Sequence, residues 1–270
     1  MDDEIIIPGA AFEEKFSEAD GFRIRYMEAG FGPVILSIHG ANGLRLSRTH
    51  DMLAKSHRVI VMEIPGFGSS EENTGAKDMK DLAHSILSFI ETLDVETLNL
   101  IGMSFGGKLA LVCAILRPEI VGSITLIAPA AIRPERDPKE IPNHAERAAA
   151  MFAHPEKQPP TNQLSAGTIA KQEDLVGRTI GPGRDEVFEA ELAKLHVPVL
   201  ALFGTEDILI PPEIGKYYRE ILPNCSLMMV YDAAHAIDAD RPEAVTELIR
   251  DFVARRGDFI VREVDGTILP

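Results

Sequence analysis

The chain has 270 residues, a formal net charge of −15, 45% hydrophobic residues and 26% charged residues. This is an ordinary globular balance, and the length suits one α/β domain carrying an insertion, with a core that needs no covalent staples. The acidity excludes a nucleic-acid surface, which needs cations to displace counterions, and argues against docking on an anionic membrane. Acidity says nothing positive about a substrate, and its plain reading is solubility.

The N-terminal Met1-Asp2-Asp3-Glu4 lacks the basic region of a secretory signal. No apolar run approaches the ~18 residues of a membrane span, so a cytoplasmic location is expected. Cys113 and Cys225 are too few for a disulfide framework or a zinc cluster and read as packing residues.

In chain order, Phe22–Glu28 alternates loosely and predicts a strand ending at Gly30. Short apolar runs at Val34–Ile38, Val59–Ile64, Leu98–Met103, Ile124–Ala128, Val199–Phe203 and Leu227–Tyr231 predict strands buried on both faces. Helical patterns lie between them. Asp78–Leu93 carries Leu82, Ile86, Phe89, Ile90 and Leu93 on one face. Phe105–Leu116 is nearly all apolar, as suits a helix buried against a sheet. Pro212–Leu222 and Pro242–Ala254 open with proline in a first turn. Strands alternating with helices predict an α/β fold with a mostly parallel sheet and helices on both faces.

Residues 131–195 break this rhythm. They contain Pro134, Pro138, Pro142, Pro155, Pro159 and Pro160 and short helical patches such as Ala145–Phe152, without a strand. The expected organisation is a core of residues 1–130 and 196–270, with residues 131–195 inserted between two strands as a small helical lid. The apolar tail at Phe259–Val261 and Ile268-Leu269 packs on the domain edge or on a partner subunit, which leaves a homodimer open.

The chemistry gathers at strand ends. Gly102-Met103-Ser104-Phe105-Gly106 fits the G-x-S-x-G turn that lifts a nucleophilic serine clear of a sheet. Its flanking glycines allow strand and helix to approach closely. A serine needs a base, expected downstream with an acid between them. His235 follows the last strand, and Asp207 follows Val199–Phe203 in Gly204-Thr205-Glu206-Asp207. Glu206 and Asp232 are the competing acids. The backbone N–H of Phe105 and that of Ala41, in His39-Gly40-Ala41-Asn42-Gly43, are the expected oxyanion donors. His39 is expected to hold that loop by side-chain hydrogen bonds.

Taken together, His39-Gly40, Pro65-Gly66-Phe67-Gly68-Ser69-Ser70, Gly102–Gly106, Gly204–Asp207 with Pro211, and His235 with Arg241-Pro242-Glu243 resemble the lid-bearing members of the α/β-hydrolase superfamily. The resemblance runs from about residue 20 to residue 256 and implies the α/β-hydrolase fold with a Ser104–His235–Asp207 triad. It leaves esterases, lactonases and C–C bond hydrolases open. Serine at position 104 disfavours the dehalogenases and epoxide hydrolases, which use aspartate there. Glu63 departs from the pattern, standing where many relatives carry Asp.

Two neighbouring readings fail on single residues. Gly102–Lys108 matches most of a phosphate-binding loop, but Leu109 cannot ligate Mg²⁺. Gly66–Glu71 begins like a dinucleotide fingerprint, but Glu71 would repel a pyrophosphate. Neither a cofactor nor a metal is expected. The expected activity is hydrolysis of a small ester, lactone or related acyl compound through an acyl-enzyme. The alternatives are C–C bond hydrolysis of a vinylogous diketone and a non-catalytic small-molecule receptor.

Overall fold

The computed structural model describes residues 7–133, 144–158 and 164–256, and the backbone of residues 262–264 and 267–269. The sheet is built from β1 (Glu13–Ala19), β2 (Phe22–Ala29), β3 (Val34–Ile38), β4 (Arg58–Met62), β5 (Leu98–Met103), β6 (Val121–Ile127), β7 (Val199–Gly204) and β8 (Cys225–Val230). Its strand order is β1-β2-β4-β3-β5-β6-β7-β8. β1 and β2 form an antiparallel hairpin that joins β4 antiparallel, and every pairing from β4 to β8 is parallel. β1 was not among the expected strands. It is mostly charged or polar (EEKFSEA) and lies on the open edge, where its side chains are mostly exposed and carry no apolar run.

Alternate residues of the central strands feed two cores. Ile38, Ile60, Leu100, Leu126 and Ala201 pack with α2 (Met79–Glu91) and α3 (Phe105–Leu116) on one face. Ile35, Val61, Ile101, Ile127 and Leu202 face the other way, toward α1 (Arg48–Leu53) and α9 (Pro242–Arg255). Burial on both faces explains why these strands read as unbroken apolar runs. α2 begins where Asp78 accepts the N–H groups of Lys80 and Asp81. α3 is apolar all round because ten of its residues are buried.

Between β6 and β7 the described residues form α4 (His144–Ala149), α5 (Ala166–Thr179) and α6 (Glu186–Leu192). Asp185 caps α6 and Ser165 caps α5, neither of which the expected patches included. After β7 come α7 (Gly215–Ile221), β8 and α8 (Ile237–Asp240), then α9. The chain closes with an antiparallel pair, β9 (Arg262–Val264) and β10 (Thr267–Leu269). That pair contains Ile268 and Leu269 of the apolar tail, while Phe259–Val261 lies outside the described residues. No helix among the described residues is long and apolar enough to cross a membrane.

Candidate active site

Ser104 stands between β5 and α3 with φ 50° and ψ −113°. A non-glycine residue at positive φ costs on the order of 1–3 kcal/mol and persists only where its surroundings hold it. Three bonds do so. Its N–H donates to the Ile127 carbonyl, and its own carbonyl accepts from Gly107 and Ala130 at 3.0 and 2.9 Å. The flanking glycines are required by contact. A Cβ on Gly106 would lie 2.2 Å from the Ile38 carbonyl oxygen, and one on Gly102 would lie 2.5 Å from the Gly106 oxygen. Ser104 is only half-buried and lines a cleft of about 1930 Å³ together with Gly40, Ala41, Met103 and His235.

His235 and Asp207 meet as a buried pair, 5% and 3% exposed, with Nδ1 2.8 Å from Asp207 Oδ2. The other carboxylate oxygen accepts the N–H groups of Leu209 and Ile210 at 2.8 and 2.9 Å. With the carboxylate acting only as acceptor, the imidazole proton belongs on Nδ1, and Nε2 keeps its lone pair. The competing acids are elsewhere. Glu206 is exposed. Asp232 bonds His154 Nε2 at 2.8 Å and faces Arg241.

The loop after β3 is also positioned. Gly43 N–H donates to the Gly40 carbonyl at 3.2 Å, which puts Ala41 at the first corner of a turn that makes no use of its N–H. Phe105 is the first residue of α3, so its N–H has no acceptor within the helix. The Phe105 N–H lies at the positive end of the α3 dipole. His39 braces the loop as expected. Its Nε2 accepts the Ile64 N–H at 3.0 Å, so its Nδ1–H donates to the Gly40 carbonyl at 2.7 Å. Burial lowers the His39 pKa to about 4, which keeps it neutral at pH 7.

Asp240 is a residue that the sequence reading missed. Its Oδ2 accepts the N–H groups of Ala234 and Ala153, both at 2.9 Å, and its Oδ1 accepts from His154 at 3.4 Å. On the other side of His235, the Ala236 N–H donates to the Met151 carbonyl at 2.7 Å. The histidine loop is therefore pinned on both flanks, with part of the β6–β7 connection as one anchor. In sequence, an Asp two residues before a proline-started helix reads as a helix-start signal, which conceals this role.

Two further sequence readings meet their surroundings here. Glu63 is 2% exposed and is held by Arg25 Nη1 at 3.2 Å, and it leaves no room for a side chain at Gly68. Burial pushes the Cys225 thiol up to about 12 and raises Cys113 further, so neither is a thiolate at neutral pH.

A strained serine on a strand-to-helix turn and a buried Asp–His pair opening onto the same cleft are the working parts of a serine hydrolase. Known proteins agree. Residues 33–153 match the alpha/beta hydrolase fold family. The uncharacterized hydrolase YugF of Bacillus subtilis (strain 168) is 26% identical over 246 residues, covering 81% of this chain and 89% of its own. The structure resembles a meta-cleavage product hydrolase from Pseudomonas fluorescens IP01, with a TM-score of 0.73 at 18% identity over 89% of this chain and 97% of that one. It also resembles naproxen esterase from Bacillus subtilis, with a TM-score of 0.68 at 16% identity over 91% of this chain and 92% of that one. The chain has the α/β-hydrolase fold, and its match to that family spans residues 33–153.

Proposed function

We propose that the protein hydrolyses a small ester, lactone or related acyl compound through an acyl-enzyme on Ser104. The observation that carries this reading is the buried 2.8 Å contact between His235 Nδ1 and Asp207 Oδ2, with His235 lining the same cleft as the strained Ser104. His235 Nε2 takes the Ser104 proton as Oγ attacks the acyl carbon. The oxyanion is received by the N–H groups of Ala41 and Phe105. As the C–O bond breaks, His235 returns the proton to the leaving alcohol. Water, deprotonated by the same histidine, then attacks the acyl-enzyme and releases the acid and the free serine. Asp207 holds the tautomer and stabilises the imidazolium. Residues 131–195 act as the lid that shapes the acyl and alcohol pockets.

The test is a panel of nitrophenyl esters, lactones and a vinylogous diketone, together with fluorophosphonate labelling, on the wild type and Ser104→Ala. Ester or lactone turnover and labelling that both vanish in the variant are the expected result. Labelling that persists in Ser104→Ala overturns the nucleophile. Cleavage of the diketone without ester turnover replaces the acyl reading by carbon–carbon bond hydrolysis. Tight ligand binding without any turnover would make the protein a receptor.

A further inference from the structure

One wall of the cleft carries two cations, Arg133 and Lys108, that no carboxylate among the described residues pairs. Arg133 follows the end of β6 and lines the cleft with Ser104 and His235. Its Nη2 donates to the Gly181 carbonyl at 2.7 Å and its Nη1 to the Ala130 carbonyl at 3.4 Å. Ala130 in turn donates its N–H to the Ser104 carbonyl, so a single residue joins the guanidinium to the nucleophile's backbone. Behind Arg133 is Lys108 of α3. It is 4% exposed, and its Nζ donates to the Ile180 carbonyl at 2.7 Å.

Neither cation has a carboxylate within ion-pair distance among the described residues. Asp185 attracts Lys108 only at longer range, and its Oδ1 is occupied in capping α6 with the N–H groups of Val187 and Phe188. Arg184, also on the cleft wall, is different, because Glu189 holds it at 2.6 Å. By contrast, the half-buried Arg25 is paired with Glu63 and Arg58 with Glu28.

Desolvating a cation is costly unless an anion compensates it. Backbone carbonyls orient a guanidinium but do not cancel its charge. Burial accordingly lowers the Lys108 pKa to about 8 and lowers that of Arg133 from its ordinary value, as expected where counter-charge is scarce. A chain with a net charge of −15 that keeps two such groups together beside its nucleophile has built a local site of opposite sign. A guanidinium fixed by two carbonyls is also oriented to offer its remaining N–H groups as a planar fork, which matches a carboxylate.

We propose that Arg133, backed by the charge of Lys108, is an anion subsite that receives a free carboxylate of the substrate. The preferred substrates are then acyl compounds that carry a second, unesterified carboxyl group. This rests on the hydrolase reading above and specifies its substrate class. Arg133 contacts the bound carboxylate, and Lys108 acts through the field it adds behind it.

The experiment uses matched ester pairs on the full chain. The free carboxylate lies on the acyl side in mono-4-nitrophenyl adipate against 4-nitrophenyl hexanoate. It lies on the alcohol side in 4-carboxyphenyl hexanoate against phenyl hexanoate. The wild type is expected to prefer the acidic member of one pair by about tenfold or more in kcat/KM, as a charge-assisted contact requires. That ratio is expected to collapse in Arg133→Met and to be partly kept in Arg133→Lys. Calorimetry with succinate, adipate and suberate gives a readout independent of turnover, with binding to the wild type and to Ser104→Ala expected and loss in Arg133→Met.

Absence of preference in both pairs, with Ser104 still labelled by a fluorophosphonate, overturns the subsite and leaves the hydrolase reading intact. So does a preference that survives in both Arg133 variants. Failure of the dicarboxylates to bind the wild type also overturns it, whatever the esters show. Loss of labelling and turnover with dicarboxylate binding retained overturns the hydrolase reading and leaves the subsite.

Discussion

The sheet's C-terminal edge and the β6–β7 connection face each other across one cleft and differ in what holds them. At the sheet edge, Ser104, Asp207 and His235 follow buried strands and are fixed by short bonds to buried partners. The connection sends Leu175 and Leu192 into the core and adds polar contacts at its rim. Lys171 Nζ donates to the Gly68 and Ser70 carbonyls, Gln172 bonds the Gly68 N–H and the Ala41 carbonyl, and Arg178 reaches the carbonyls of Asn73 and Ala76. Close packing makes the edge intolerant of displacement, whereas the rim contacts can be exchanged one at a time. Chemistry that needs fixed geometry belongs on the first, and a surface that adapts to substrate belongs on the second.

That contrast breaks most sharply at the nucleophile. Ser104→Ala is expected to lower kcat by on the order of 10⁴–10⁶ while the fold, followed by circular dichroism, is unchanged. Asp207→Asn removes the acceptor that sets the imidazole tautomer and is expected to cost about 10²–10⁴ in kcat with little change in KM.

The third test uses acid. His39 and His50 are buried and neutral, each with its pKa lowered from 6.5 to about 4 by burial. His50 is held by the Ser47 N–H and hydroxyl at Nδ1 and by the Ser37 hydroxyl at Nε2. The unfolded chain takes up these protons below pH 6.5 and the folded chain does not. Stability is therefore complete above that pH and is lost as pH falls toward 4, by about 3 kcal/mol for each histidine. Melting temperature against pH should fall steeply in the wild type over this window and less steeply in His50→Asn. Equal slopes would remove His50 from the account.

Asp240 gives the smallest expected effect and sharpens the comparison most, because it joins the two regions. Asp240→Ala is expected to lower kcat about tenfold with KM little changed, and Asp240→Asn, which keeps an acceptor, to recover most of the loss. If Asp240 were only a structural clamp, Asp240→Ala would lower the melting temperature and leave the turnover of the folded fraction unchanged.

The order Ser104, Asp207, His235 was legible in sequence because each follows a strand, and burial on both faces makes such strands read as conspicuous apolar runs. The elbow was legible for the same reason, since Gly102 and Gly106 occupy positions where a Cβ would strike backbone. β1 and the helices α1, α5 and α6 were not, because their exposed or mixed faces leave weak periodicity. Asp240 and Arg133 were not legible either. Asp240 looks like a helix-start residue, and Arg133 looks like one more surface cation in a proline-rich stretch.

The sequence by itself determined the fold class, the strained turn at Ser104 and the chain order of its partners, since local propensity and burial act over a few neighbouring residues. Only the tertiary structure decided that Asp207 rather than Glu206 or Asp232 meets His235, that Asp240 ties the histidine loop to residues 153 and 154, and that Arg133 stands in the cleft with no carboxylate among the described residues at ion-pair distance. Those are facts of distance between residues far apart in the chain. Electrostatic and hydrogen-bond energies depend on such distances and on the burial that packing creates.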